Sequence, residues 1–124
     1  MSMTHDQIER CDALWRELLA AGRVRWMDGM AWRYNGNPYR ERIESDTQLE
    51  ALAFPVWTDP ATIGCLLAMA REAAGDATAY GCVVPGALLD GEDRWCVGLP
   101  GTRRFIRAET EPEALLLAIQ AATA

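Results

Sequence analysis

Nucleophilic catalysis needs a thiol or hydroxyl beside a base that a third group holds in place. The thiols here are Cys11, Cys65, Cys82 and Cys96, and the one histidine is His5, at a position where chains commonly fray. The cysteines are 54, 17 and 14 residues apart, with no CxxC pair, so the paired ligands of a zinc knuckle or finger are absent. No GxSxG, phosphate-cradling glycine loop or GxGxxG follows a predicted strand. Acid–base chemistry would fall to Asp90-Gly-Glu-Asp93, the densest carboxylate cluster, if one member were buried with a raised pKa. Its turn-rich context predicts a solvated acidic loop instead, and its spacing is not that of an EF-hand. No catalytic residue, cofactor or metal is therefore expected. The cysteines read as reduced, apolar core residues, with Cys82 and Cys96 the one pair that neighbouring strands would bring together.

A binding chemistry is better represented. Five of the twelve arginines fall between Arg23 and Arg42, interleaved with Trp26, Trp32, Tyr34 and Tyr39, in a chain without lysine. Guanidinium groups stack on rings and make bidentate contacts, as protein hot spots and single-stranded nucleic-acid platforms both require. The candidate partner-binding residues are Arg25, Trp32, Arg33, Tyr34, Tyr39, Arg40 and Arg42. A purely structural reading competes: the tryptophans fill the core while the arginines pair with acids of residues 43–59. Residues 23–42 sum to +3 but the whole chain to −6, which disfavours nucleic acid as the partner.

With 124 residues, half of them apolar, the chain can bury one core and reads as a single domain over 1–124. No stretch approaches the roughly 20 apolar residues of a membrane span, and the first residues do not form a secretory signal. A cytoplasmic protein is expected. Five tryptophans in so short a chain also leave room for a homodimer.

The elements follow from periodicity and punctuation. Thr4 or Asp6 caps a first helix to about Ala21, with Ile8, Cys11, Trp15, Leu18 and Leu19 on one face, Asp12 on the solvated one, and Gly22 as the exit. Asp28-Gly29 predicts a two-residue hairpin with Met27 facing Met30, Arg25 facing Trp32 and Arg23 facing Tyr34. Residues 39–57 read as a long loop, with one helical turn near Thr47 to Ala53. Thr58-Asp-Pro opens a second helix, which stops at Gly75 and buries Ile63, Leu66, Leu67, Ala70 and Ala74, while Gly64 would admit a close neighbour. Tyr80–Val84, Arg94–Leu99 and Arg103–Ala108 read as an antiparallel meander with Trp95, Val97 and Leu99 facing the core. Thr110-Glu-Pro-Glu113 has capping-box spacing and starts a last helix with Leu115, Leu116, Ala118, Ile119 and Ala122 inward. The expected fold is α+β: an antiparallel sheet of three to five strands with about three helices packed on one face.

Two strings, LLAAGRVRWMDGM at Leu18–Met30 and TDPATIGCLLAMAREAAGD at Thr58–Asp76, resemble segments of small uncharacterised proteins encoded by phages and prophages of Proteobacteria. The resemblance spans about a quarter of the chain and implies an accessory phage protein, with no catalytic residue carried over. The expected function is a non-enzymatic module that binds another protein, of phage or host. The alternatives are a nucleic-acid-binding module using the same segment, or a small enzyme using paired carboxylates.

Overall fold

The computed structural model describes residues 3–34, 41–42, 53–75, 84–85, 95–98 and 105–122. Among them are helices α1 (His5–Ala20), α2 (Pro60–Ala74) and α3 (Glu111–Ala122). The strands are β1 (Ala31–Tyr34), β2 (Glu41–Arg42), β3 (Ala53–Pro55), β4 (Val84–Pro85), β5 (Trp95–Gly98) and β6 (Phe105–Ala108). The mixed α+β class follows. The strands pair antiparallel in two separate sets, β2-β1-β3 and β4-β5-β6.

Local chemistry sets both ends of α1. The Thr4 hydroxyl accepts from the Gln7 backbone N–H and the Gln7 side chain accepts from the Thr4 N–H, a reciprocal capping box. At the other end Gly22 adopts φ +72°, and the N–H groups of Gly22 and Arg23 return to the carbonyls of Leu19 and Leu18. The buried face is Cys11, Asp12, Trp15 and Leu18. Leu19 is exposed and Asp12 takes a buried place, the reverse of the amphipathic assignment.

The Asp28-Gly29 turn forms, with Gly29 at φ +94° and the Met30 N–H donating to the Met27 carbonyl, but its first arm is not a strand. Residues 23–27 lie along the helices: Val24 is buried, the Arg25 N–H donates to Met69 Sδ on α2, and Trp26 meets Trp15 edge-on at 5.1 Å. Helix packing has outcompeted cross-strand pairing. The partners of β1 are instead β2, with Trp32 opposite Glu41, and β3, with Arg33 opposite Phe54. The segment expected to be loop over 39–57 thus supplies two strands, and 47–52 lies outside the described residues. Pro55 is tolerated because β3 is the last strand of its set, where a missing donor breaks no ladder.

Asp59 caps α2 by accepting from the Thr62 N–H at 3.0 Å, and Gly75 ends it at φ +72°. Thr62, fully buried, accepts from the Ala31 N–H and donates to Asp59, so the start of α2 is tied to the start of β1. The buried stripe is Thr62, Leu66, Met69 and Ala70, while Ile63, Leu67 and Ala74 are only half-buried. Among the described residues no neighbour approaches Gly64, whose added methyl would meet open space.

Helix α3 is the hub, packing on α1, α2, β5 and β6. Ala114, Leu115, Leu116, Ala118 and Ile119 are all fully buried, each Leu or Ile worth about 1.5–3 kcal/mol of transfer from water. Its predicted capping box does not form: the Thr110 hydroxyl is buried with no hydrogen-bond partner, and Glu113 accepts from Arg10 instead. In the meander, Val84 stands opposite Cys96; Cys82 lies outside the described residues. Trp95 packs half-buried against the core, as its alternation predicted.

Candidate functional site

Of the described side chains in the arginine and aromatic segment, Trp32 and Arg33 are taken up by the fold. Trp32 is buried in the core. Arg33 donates from Nη2 to Asp12 Oδ1 at 2.7 Å with both side chains mostly buried, and its guanidinium lies over the Phe54 ring at 5.6 Å. Trp57 Nε1 donates to the same Asp12 oxygen at 2.8 Å. Arg25 is exposed and holds Glu72 of α2 through both terminal nitrogens, at 3.2 and 2.8 Å. Tyr34 and Arg42 stand on β1 and β2, and Tyr39 and Arg40 lie outside the described residues. Arg33 and Arg25 thus pair with acids of α1 and α2 rather than of 43–59. Arginine–aromatic stacking is present, but on Phe54, which also carries Arg16 at 5.0 Å.

A different place is open. The start of α3, the β3–α2 turn, β5 and Met3 enclose a cavity of about 200 Å³ lined by Met3, Trp57, Thr58, Ile63, Trp95, Thr110, Glu111 and Pro112. Each wall has a local cause. Pro112 occupies the first turn of α3, where its missing N–H costs nothing. Trp57 is fixed by its bond to Asp12 and by an edge contact with Trp15 at 5.9 Å. Thr110 is held by its carbonyl, which accepts from the Ala114 N–H.

The electrostatics of the rim are uneven. Arg10 reaches from α1 to Glu109 at 2.8 Å and Glu113 at 3.2 Å, and Gln7 also donates to Glu109. The Arg10 pKa is raised by the Glu113 charge first, with Glu109 adding to it. Glu111, between these two carboxylates in sequence, makes no ion pair among the described residues, and burial pushes its pKa up. The recess thus has at its wall a carboxyl group without a counter-charge among the described residues. The Cys11 thiol is pushed up to about 12, by burial first and then by Glu113. Thr110 lies beside this thiol without the geometry of a hydrogen bond.

His5 pairs with Glu9 on the exposed face of α1, away from any thiol contact shown. Among the described residues no group of three His, Cys, Asp or Glu side chains is placed to hold a metal ion. Asp90, Glu92 and Asp93 lie outside the described residues. Sequence reasoning passed over Met3, Trp57, Ile63, Trp95 and Glu111 as a group because they come from four elements distant in sequence. The one local signal was Glu109-Thr-Glu-Pro-Glu113, three carboxylates around a helix start.

No family model, no curated protein and no solved structure matches this chain.

Proposed function

We propose that the chain is a non-enzymatic protein-binding module, an accessory protein of phage or prophage origin acting in the cytoplasm. Its contact surface is the recess around Trp57, Trp95, Ile63 and Glu111, with Arg25 at a secondary position. The observation that carries this reading is the recess itself: two indoles, aliphatic walls and one carboxylate without an ion-pair partner among the described residues, in a cavity of about 200 Å³. Aromatic pockets that take single anchoring side chains are what protein hot spots are made of. Small-molecule and cofactor sites run to about 300–1,000 Å³, which favours an inserted side chain over a free ligand. In keeping with that reading, no helix among the described residues is long and apolar enough to cross a membrane. The frame we propose is an antiparallel sheet of three to five strands with three helices on one face, supported by the packing of α3 on β5 and β6.

The test is capture by tagged chain from a nuclease-treated lysate of proteobacterial cells in which a prophage has been induced. The expected result is one protein in stoichiometric amount, lost with Ile63→Glu and retained with Arg25→Ala. Recovery that is untouched by Ile63→Glu would place the surface elsewhere, and recovery that vanishes with nuclease would favour the nucleic-acid alternative.

A further inference from the structure

The recess has a chemical preference that the binding reading alone does not give. Three carboxylates surround the start of α3, and two of them already share a cation: Glu109 and Glu113 both pair with Arg10, with Gln7 donating to Glu109 as well. Glu111 is left without an ion-pair partner among the described residues, on the wall of a cavity that also presents Trp57 and Trp95. A carboxylate that is partly desolvated in its own fold gains most from a partner that restores a counter-charge. Indole rings add attraction for a cation that lies against them, and a planar guanidinium uses both kinds of surface at once.

Resting on the protein-binding reading above, we infer that the recess takes an arginine side chain of the partner protein, its guanidinium against Trp57 and Trp95 and paired with Glu111. Size, charge and ring content agree on this occupant. The cavity is below the volume of a drug-sized ligand site, and its apolar walls, Met3, Ile63 and Pro112, suit the methylene stem. Thr58 and Thr110 are the hydroxyl-bearing side chains on the same wall. The neighbouring arginine of the chain itself, Arg10, is committed to its two glutamates and so does not occupy the place.

The probe is the capped tripeptide acetyl-Gly-Arg-Gly-amide at millimolar concentration, with the citrulline peptide as neutral isostere, read by the indole N–H resonances of the five tryptophans. The arginine peptide is expected to shift Trp57 and Trp95 saturably while leaving Trp32 in place. Citrulline and the Glu111→Gln variant are each expected to weaken binding at least about fivefold. Equal binding of the two peptides, or unchanged affinity in Glu111→Gln, overturns the cationic preference while leaving capture of a protein by the recess intact. Absence of any shift at Trp57 and Trp95 also overturns it. Loss of protein capture in the lysate experiment, by contrast, removes the binding reading itself. Circular dichroism of Glu111→Gln confirms that the variant is folded, and Glu111→Asp, which keeps the charge, is expected to retain more affinity than Glu111→Gln.

Discussion

Arg33 of β1 donates to Asp12 of α1 at 2.7 Å, and the same carboxylate oxygen accepts from Trp57 Nε1. This one buried acid joins the first helix to the strand expected to carry a partner surface and to the turn that walls the recess. Removing one member leaves the others desolvated and unpaired, which costs about 3–5 kcal/mol for a buried ion pair. Asp12→Ala is therefore expected to unfold at far lower urea than the wild type, whereas Asp12→Leu with Arg33→Met recovers much of the loss. Chemical denaturation of the three proteins checks this, and a single-variant cost under about 1 kcal/mol would show the pair to be a solvated surface contact.

Two glycines of α2 should respond in opposite directions. Gly64 is exposed within the helix with open space around it, so Gly64→Ala removes the backbone-entropy cost of glycine and is expected to stabilise by about 1 kcal/mol. Gly75 sits at φ +72°, where an added methyl is strained although nothing is near it, so Gly75→Ala is expected to destabilise by about 1 kcal/mol. Thermal melts of both, side by side, give the comparison. A loss of stability in Gly64→Ala would mean that a neighbour does approach α2 there.

Glu111 gives the recess a signature in pH. Burial raises its pKa in the fold, so the protonated form is favoured on folding, and that contribution is present below the unfolded carboxyl value and lost as pH rises through the folded one. Glu111→Gln removes the titration. The melting temperature of the variant relative to the wild type is expected to increase as the pH is raised from the acid range toward neutrality. A difference that is flat or runs the other way would mean that the carboxyl is solvated.

The thiols differ in reach as well as in acidity. Cys11 is fully buried with its pKa pushed up to about 12, while Cys65 is half-buried on α2 with a smaller rise from burial. Because the thiolate is the reacting species, native alkylation near pH 8 followed by peptide mapping is expected to label Cys65 well before Cys11. Equal labelling would show that α1 opens from α3 on the timescale of the reaction.

Much of the helical frame was legible because its signals are local. Thr4 as a cap, Asp59 with Pro60, and the glycines at 22 and 75 each act within one turn, and the structure uses them all. The hairpin at Asp28-Gly29 was half legible: the turn chemistry is local, but whether Val24 and Trp26 pair across it or pack on Met69 and Trp15 depends on helices that arrive from elsewhere. Asp12 was misplaced on the solvated face because spacing cannot show that Arg33 and Trp57 would come to meet it. The recess was illegible for the same reason, since Met3, Ile63, Trp95 and Glu111 become neighbours only after α3 packs on α1, α2 and the β5–β6 pair.

The surface that meets the partner distinguishes the recess from the segment of residues 23–42. The most direct measurement is the dissociation constant of the captured protein for the wild type, Ile63→Glu and Arg25→Ala, each shown to be folded by circular dichroism. The recess predicts that Ile63→Glu weakens binding by about tenfold or more, while Arg25→Ala changes it little. Strong weakening by Arg25→Ala with Ile63→Glu unaffected would contradict it and return the contact to the segment of residues 23–42.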